Sequence, residues 1–542
     1  MNEDIFDKSF TPSRPGVPDD DRYSISIELR DGTGRFLGEV GDYEEASFVF
    51  DADAKSVESS SFSVPGKSPY ARALMRANRQ ILLVHMMIYR GRNLVKTWTG
   101  RVDRAVRTSD RGVSSVNVEL ISDKAWLQYI MCWSAPFAPL SFQAPKTEDK
   151  LGPAIAMMKQ YAVNNLIRIQ GTWWNPISMA DMAYKSTYME RPDSWKTLES
   201  FMPIIQVVPT RISEDTTPNI FLSAKMDSVA DVWDQACRDY NLLPEVKFHV
   251  PGRDTLPSRI AMSGPGIWID IKDKDVTRAR GVKANFFWEI TKEIGIFIRG
   301  LFGRYDAPFE LDSSNRESML DYFGRDPADK WVIFRESDEH SFQRETSSYA
   351  PTSTSSIVGG KAPQALNKGI ELVVNTMIRL AMGAIGIIFG NLISGELDDI
   401  LFAYQRADDK DLRTFLGDFA FFEDFSSGPT AYTFDSAQAL RLARHNATGY
   451  KTATYTIDGN ASQPFRIFED YDLLDPVAWE DEDEGRLFAE RLKEVTVNVS
   501  RSDGVTFDIS LGDSQRPEEP WAIQARRNDM MKQWIKSALF LD

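Results

Sequence analysis

Apolar residues recur at every second position over long stretches near both ends of the chain. In "YSISIEL" (23–29), Tyr23, Ile25, Ile27 and Leu29 share one face, as strand side chains alternate. "SSFSVPGKSPYARALMRANRQ" (60–80) predicts a strand, a turn and a short helix with Ser68 as N-cap and Pro69 in its first turn. "ILLVHMMIY" (81–89), "RGRN" and "LVKTWTGRVDRAVR" (94–107) predict a long hairpin. "TSDRG" then turns into "VSSVNVELI" (113–121), with Val116, Val118 and Leu120 on one face. So dense a run of short strands suits a small β-barrel or sandwich.

The alternation returns near the other end. "YKTATYTID" (450–458) and "PFRIFEDY" (464–471) predict strands around the turn "GNASQ". "VTVNVSRSDGVTFDISLGD" (495–513) predicts a hairpin: Val495, Val497 and Val499, an Asp-Gly turn, then Val505, Phe507, Ile509 and Leu511. "TFDSAQALRLARH" (433–445) predicts a helix with an Asp435/Gln438 capping box, and "WAIQARRNDMMKQWIKSALFL" (521–541) a closing helix.

Between these regions the period lengthens. "SDKAWLQYIMCW" (122–133), capped by Ser122 or Asp123, "DKLGPAIAMMKQYAVNNLI" (149–167) and "DSVADVWDQACRDYNLLPEV" (227–246) predict helices. "VKFHV" (246–250) and "GIWIDIKDKD" (266–275) predict strands. The fold class expected is α+β and multidomain: two β-barrel-like domains with a mixed α/β domain and an apolar helical segment between them. The divisions are a flexible N-terminal arm (1–21), a first β-barrel domain (22–134), the α/β domain (135–280), an apolar helical region (281–419) with a polar loop (341–370), a second β-barrel domain (420–516) and a C-terminal helix (517–542).

Two apolar stretches stand out, "ANFFWEITKEIGIFIRGLFG" (284–303) and "ELVVNTMIRLAMGAIGIIFGNLISGELDD" (371–399). On a helix, Arg379, Gly383, Gly386 and Gly390 fall within about 60° of one another. Val374, Met377, Leu380, Ile385, Ile388 and Leu392 lie broadly opposite, and Gly386 and Gly390 form a small-xxx-small pair. About 20 such residues span a bilayer, but the central Arg379 is costly there. The second stretch therefore reads as a buried core helix packed on the first, as a channel element, or as a segment that enters a membrane once triggered.

Charge narrows the function. The chain has 79 Asp and Glu against 63 Lys and Arg, a net charge of −16, which argues against stable nucleic-acid binding. Cys132 and Cys237 sit among apolar or aromatic neighbours, so neither a disulfide framework nor a thiolate metal site is expected. The four histidines, His85, His249, His340 and His445, lack metal-ligand spacing, and His85 reads as a buried imidazole in a strand. No phosphate-cradling glycine loop and no nucleophile elbow occurs. "WEDEDEG" (479–485) lacks the spaced oxygens of a calcium loop. The acidic, Pro- and Asp-rich first 22 residues have neither the basic nor the apolar region of a signal peptide. The chain is expected to be non-enzymatic, with no cofactor and no metal.

The order of several segments carries a resemblance: "SSSFSVPGKSPYARAL" (59–74), "LVKTWTGRVDRAVR", the small-residue-rich stretch ending in "GELDDILFAYQ" (395–405), "AYTFDSAQALRLARHNATGY" (431–450) and "VSRSDGVTFDISLGDSQRPEEP" (499–520). From about residue 22 to the end, the chain resembles the large minor tail proteins of siphoviruses that infect actinobacteria. That family looks like the baseplate hub, or tail-associated protein, of long-tailed phages. The resemblance implies a virion protein at the distal end of the tail, made in the host cytoplasm. It implies a homotrimer whose two barrel domains per subunit form a pseudo-sixfold ring. The partners implied are the distal tail protein hexamer, the C-terminus of the tape measure protein and other minor tail or tip proteins. The hub would close the tube and open for DNA ejection, with host-membrane contact only after triggering. Phe286, Phe287, Trp288, Ile296, Phe297, Met377, Arg379, Leu380, Gly383, Gly386, Ile388, Phe389 and Gly390 become the candidate channel plug or tape-measure contact. The alternatives are a tail-associated cell-wall hydrolase, a hexameric distal tail adaptor, and a receptor-binding tip protein using the aromatics of 171–195, Trp173 and Trp174 among them.

Overall fold

The computed structural model describes residues 22–170, 204–275, 332–334, 342–359, 404–427, 447–459, 465–481, 486–501 and 504–511, apart from a few single positions. Within them the protein is mostly β-sheet with few helices. It forms two compact units, one from residues up to 345 together with 453–511, the other from 346–452.

The N-terminal strands follow the alternation of the sequence. They are β1 (Tyr23–Asp31), β2 (Phe36–Glu39), β3 (Glu45–Asp51), β4 (Ser59–Pro65), β5 (Leu82–Arg90), β6 (Asn93–Asp110) and β7 (Val113–Ser122), with helix α1 (Ala71–Leu74) after β4. Arg111 and Gly112 take positive φ (47° and 87°) at the β6–β7 turn, the twist a tight hairpin needs. Next come α2 (Trp126–Tyr129), β8 (Met131–Cys132), β9 (Glu148–Pro153), α3 (Ala154–Gln170), β10 (Ile205–Val207), β11 (Asn219–Ala224), β12 (Asp227–Ser228), α4 (Val229–Tyr240), β13 (Leu242–His249) and β14 (Gly266–Asp273). The C-terminal half adds β15 (Val332–Phe334), β16 (Phe342–Tyr349), β17 (Ser355–Gly359), β18 (Tyr404–Asp408), α5 (Lys410–Leu416), β19 (Asp424–Ser427), β20 (Tyr450–Asp458), β21 (Pro476–Asp481), β22 (Arg486–Arg491), β23 (Glu494–Ser500) and β24 (Gly504–Leu511).

Strands from both ends of the chain share one eleven-stranded sheet, in the order β16-β20-β24-β23-β3-β4-β7-β6-β5-β1-β2. β3 and β23 make the join, antiparallel from Ala46 opposite Val499 to Asp51 opposite Glu494. The inward residues of both halves (Phe48, Phe62, Val84, Met86, Val118, Val497, Phe507 and Ile509 among them) enter a single core that also holds Trp479. The sheet curls until Tyr23 of β1 meets Phe507 of β24 edge to face at 5.0 Å. The order nevertheless ends in β16 and β2, so among the described residues the sheet forms no closed barrel. The two separate terminal barrels expected from the sequence are thus replaced here by one curled sheet, because the hydrophobic faces of β3 and β23 complete each other.

A second core lies under α3 and α4, which pack with β10, β13 and β14. Trp233 of α4 donates its indole N–H to the Met158 carbonyl at 2.9 Å. α4 starts on a capping box between Ser228 and Asp231 and ends at Asn241 in the left-handed region. That stop releases β13 at Leu242, so the strand expected at 246–250 begins earlier.

Other local expectations change for identifiable reasons. α1 is one turn with Tyr70 at its N-cap, and the Ser68 hydroxyl accepts from the Tyr70 amide in the preceding turn. Phe465–Tyr471 of the expected strand "PFRIFEDY" form a tight turn instead. Phe468 takes φ 64°, and the Asp470 carboxylate accepts from the Arg466 amide at 2.8 Å. The expected polar loop 341–370 supplies β16 and β17, where Ser353, Thr354, Ser355 and Ser356 are buried despite their polarity. "WEDEDEG" begins inside β21, with Trp479 fully buried. Among the described residues no helix is long and apolar enough to cross a membrane.

Candidate functional site

The plug residues proposed from sequence, Phe286, Phe287, Trp288, Ile296, Phe297, Met377, Arg379, Leu380, Gly383, Gly386, Ile388, Phe389 and Gly390, lie outside the described residues, as do Trp173 and Trp174. Two other features of the first unit collect polar chemistry.

The first is a groove of about 1110 Å³ on the polar face of the large sheet, crossing the seam between β3 and β4. That seam is the weakest ladder in the sheet's middle. Only Ala46–Phe62 and Ser47–Ser61 are paired there. Serine hydroxyls replace strand carbonyls on either side: Ser60 Oγ accepts from the Val49 amide at 3.0 Å, and Ser63 Oγ from the Glu45 amide at 3.3 Å. Glu45, Ser47, Ser61, Asn117, Glu119, Thr456, Asp458, Asn498 and Thr506 are among the lining residues, and none of the lining residues is Lys or Arg. Next to it, Asp508 accepts from Thr456 Oγ1 and Asn498 Nδ2, both at 2.6 Å. Hydroxyl, amide and carboxylate groups on a rigid sheet favour polar or cationic chains and repel phosphate.

The second is a buried charge node where the α/β layer meets the sheet. His85 of β5 is fully buried, as the sequence led us to expect. Its Nε2 lies 3.2 Å from Asp254 and its Nδ1 3.9 Å from Glu28. Nε2 is within hydrogen-bonding distance of Asp254, although neither ring nitrogen is well aligned with its carboxylate. Glu28 pairs with Arg30 at 2.6 Å and with Arg253 at 3.0 Å. Burial alone would raise the Glu28 carboxyl; His85, Arg30 and Arg253 outweigh it and hold the group at about 2. Burial disfavours the imidazolium of His85, but Asp254 and Glu28 override it and raise its pKa. Burial lowers the nearby His249, and it raises the fully enclosed Asp123, which lies under β6 and β13. With His85 sealed from solvent, the node positions the layers and offers no surface to a substrate.

The sequence reading missed Glu28 and Arg30. They occupy the alternate face of β1, which a period of two assigns to solvent, and the loop after β13 covers them. Only a His in β5 and an acid in β1 hinted at pairing. The thiols are inert by position. Burial pushes Cys132 up to about 12 and Cys237 higher still. Among the described residues, no group of three or more His, Cys, Asp or Glu is placed to hold a metal ion.

Comparisons with known proteins bear on this arrangement. A family model described as Siphovirus ReqiPepy6 Gp37-like protein matches residues 26–513. Minor tail protein Gp28 of Mycobacterium phage L5 is 22% identical over 573 residues, with 91% of each chain covered. Gp28 of Mycobacterium phage D29 is 22% identical over 568 residues with the same coverage. Among solved structures, the chain is similar to the 43 kDa tail protein of prophage MuSo2 from Shewanella oneidensis, at 10% identity and TM-score 0.36, covering 91% of this chain and 99% of that one. It is similar to the phage P2 baseplate in its activated conformation with Ca at 10% identity and TM-score 0.33, covering 91% and 100%. Structural likeness this slight carries no argument, whereas the family match spans most of the chain. The chain belongs to the Siphovirus ReqiPepy6 Gp37-like protein family and is a siphovirus minor tail protein.

Proposed function

We propose that this tail protein is a homotrimeric tail-tip hub that closes the distal end of the tube and opens for DNA ejection. The observation that carries the reading is the β3–β23 join, with the weak β3–β4 seam beside it. In this reading the seam marks off two groups of strands within the one large sheet, β16-β20-β24-β23-β3 and β4-β7-β6-β5-β1-β2. Two such groups per chain supply six ring positions in a trimer, which matches a sixfold tube. In this reading each group of strands occupies one position of the ring, and the distal tail protein hexamer, the tape measure C-terminus and other tip proteins are the neighbours. The groove, without a lining cation, suits a surface that does not retain a passing phosphate backbone. The chain acts without catalysis in this reading, and Phe286, Phe287, Trp288, Ile296, Phe297, Met377, Arg379, Leu380, Gly383, Gly386, Ile388, Phe389 and Gly390 are the proposed channel plug or tape-measure contact.

The test is native mass measured over a range of concentrations without detergent. A species of three 61.4 kDa chains supports the hub. A hexamer overturns it in favour of a distal adaptor. Particles lacking 371–393 are expected to assemble poorly or leak DNA while still recognising the host; normal assembly and ejection would remove the plug from the reading.

A further inference from the structure

The imidazole of the buried node lies between two carboxylates that come from two different layers. His85 and Glu28 belong to the sheet, whereas Asp254 ends a turn that leaves β13 at Val250. His85 is fully buried, and the Asp254 side chain is only 13% exposed. The titratable and charged groups around the ring are Glu28 and Arg30 of β1, Tyr89 of β5, Arg101 of β6, Asp123 just after β7, and His249, Arg253 and Asp254 of β13 and its turn.

The two carboxylates are not held alike. Glu28 keeps Arg30 at 2.6 Å and Arg253 at 3.0 Å whatever the state of His85. Asp254 has one ion pair among the described residues, the one to His85 at 3.2 Å. A protonated imidazole offers an N–H to each side, whereas the neutral ring turns a lone pair toward one carboxylate. Loss of the proton therefore falls on Asp254, which is left enclosed without a cation, a costly state. The turn closes on itself and has room to move. The amides of Arg253 and Asp254 donate to the Val250 carbonyl at 3.0 and 3.2 Å, and the Val250 amide donates to Asp254 Oδ2 at 3.1 Å. Gly252 at its tip takes φ 79°, and nothing lies within 4 Å of where a Cβ would stand. The remaining tether, Arg253 to Glu28, is 52% exposed on the arginine side and weakened by solvent.

We propose that protonated His85 is a latch that holds the Val250–Asp254 turn on strands β1 and β5, and that its deprotonation frees the turn while the sheet stays folded. Burial disfavours the imidazolium, but Asp254 and Glu28 outweigh it, so the closed turn keeps the proton to a higher pH than an open one. The latch is at full strength below the ordinary 6.5 and is lost as the pH rises through the closed-state value, about ten-fold per pH unit between the two. His249, which burial lowers, and Glu28, held at about 2, do not change charge above 6.5.

The test is hydrogen exchange of the full chain, corrected for intrinsic rates and followed by mass spectrometry from pH 6 to about 10. Wild-type peptides covering 248–256 are expected to lose at least five-fold in protection across that range, while those of β23 and β24 keep theirs. His85→Gln, which cannot titrate, is expected to leave the turn open at every pH. Asp254→Asn, which removes the carboxylate and leaves the sheet's own contacts, is expected to flatten the profile likewise, and it decides the matter if His85→Gln fails to fold. Flat protection in wild type overturns the proposal. A pH response that persists in His85→Gln also overturns it, since the titrating group would then lie elsewhere in the node. Parallel loss of protection in β23 and β24 overturns it too, because the sheet would be unfolding as a whole.

Discussion

Cutting the chain at residue 419 separates the two β-rich regions that the sequence presents as independent domains. In the structure that cut removes β23 and β24 from the middle of one sheet. Val495, Val497, Val499, Val505, Phe507, Ile509 and Leu511 are each at most 6% exposed and fill the core shared with β1, β3 and β4. At about 2 kcal/mol for each buried side chain, their loss removes on the order of 10 kcal/mol, even after allowance for a compact unfolded state. That equals the whole stability of a typical domain. The cut also removes the partners of Lys96 and Lys274, which pair with Asp472 at 2.6 Å and Asp475 at 3.3 Å. Residues 22–419 expressed alone are therefore expected to lack a cooperative urea transition, and co-expression with 420–542 is expected to restore it. Circular dichroism of the aromatic bands checks this, since the contact between Tyr23 of β1 and Phe507 of β24 needs both pieces. The reasoning is refuted if residues 22–419 alone unfold cooperatively with the full chain's midpoint.

Three further outcomes follow from single positions. Glu28→Gln leaves Arg30 and His85 without their buried carboxylate and is expected to cost about 3 kcal/mol in urea unfolding; an unchanged midpoint would show the node to be dispensable. The pH dependence has a definite sign. Glu28, held at about 2 from an ordinary 4.5, contributes stability that is full above 4.5 and lost as the pH falls toward 2. His85, raised above its ordinary 6.5, contributes stability that is full below 6.5 and lost as the pH rises through its folded value. The variant should accordingly melt with a shallower acid limb than wild type between pH 4.5 and 2. Gly100→Ala places a Cβ 2.3 Å from the Ile121 carbonyl and 2.5 Å from the Trp98 ring. Because the carbonyl belongs to the paired strand β7, a loss of about 2 kcal/mol is expected by thermal melting. Cys132 and Cys237 should resist thiol reagents in the native protein and react fully in urea, as buried thiols do; native labelling at either would contradict the packing of the second core.

Local signals carried far in this chain. Alternation located β1, β7 and the β23–β24 hairpin, because side chains two apart share a face wherever a strand forms, and strand-rich runs on either side of a turn located β5 and β6. The helical period located α3 and α4, and the composition around Cys132, Cys237 and His85 indicated their burial. Where local hydrogen bonding competes, the pattern misleads. Phe468 and Asp470 fold an alternating segment into a turn, and the serines and threonines before β17 are buried in a segment whose polarity suggests a loop. The partner of β3 lies more than 440 residues away in β23, and no periodicity encodes a partner at that distance. The same limit hid the charge node: Glu28 and Arg30 look solvent-facing until Asp254 and Arg253 arrive from another layer. What the sequence determined by itself was which residues alternate and therefore which segments become strands. The tertiary structure decided which faces meet, because burial depends on the element packed against a face.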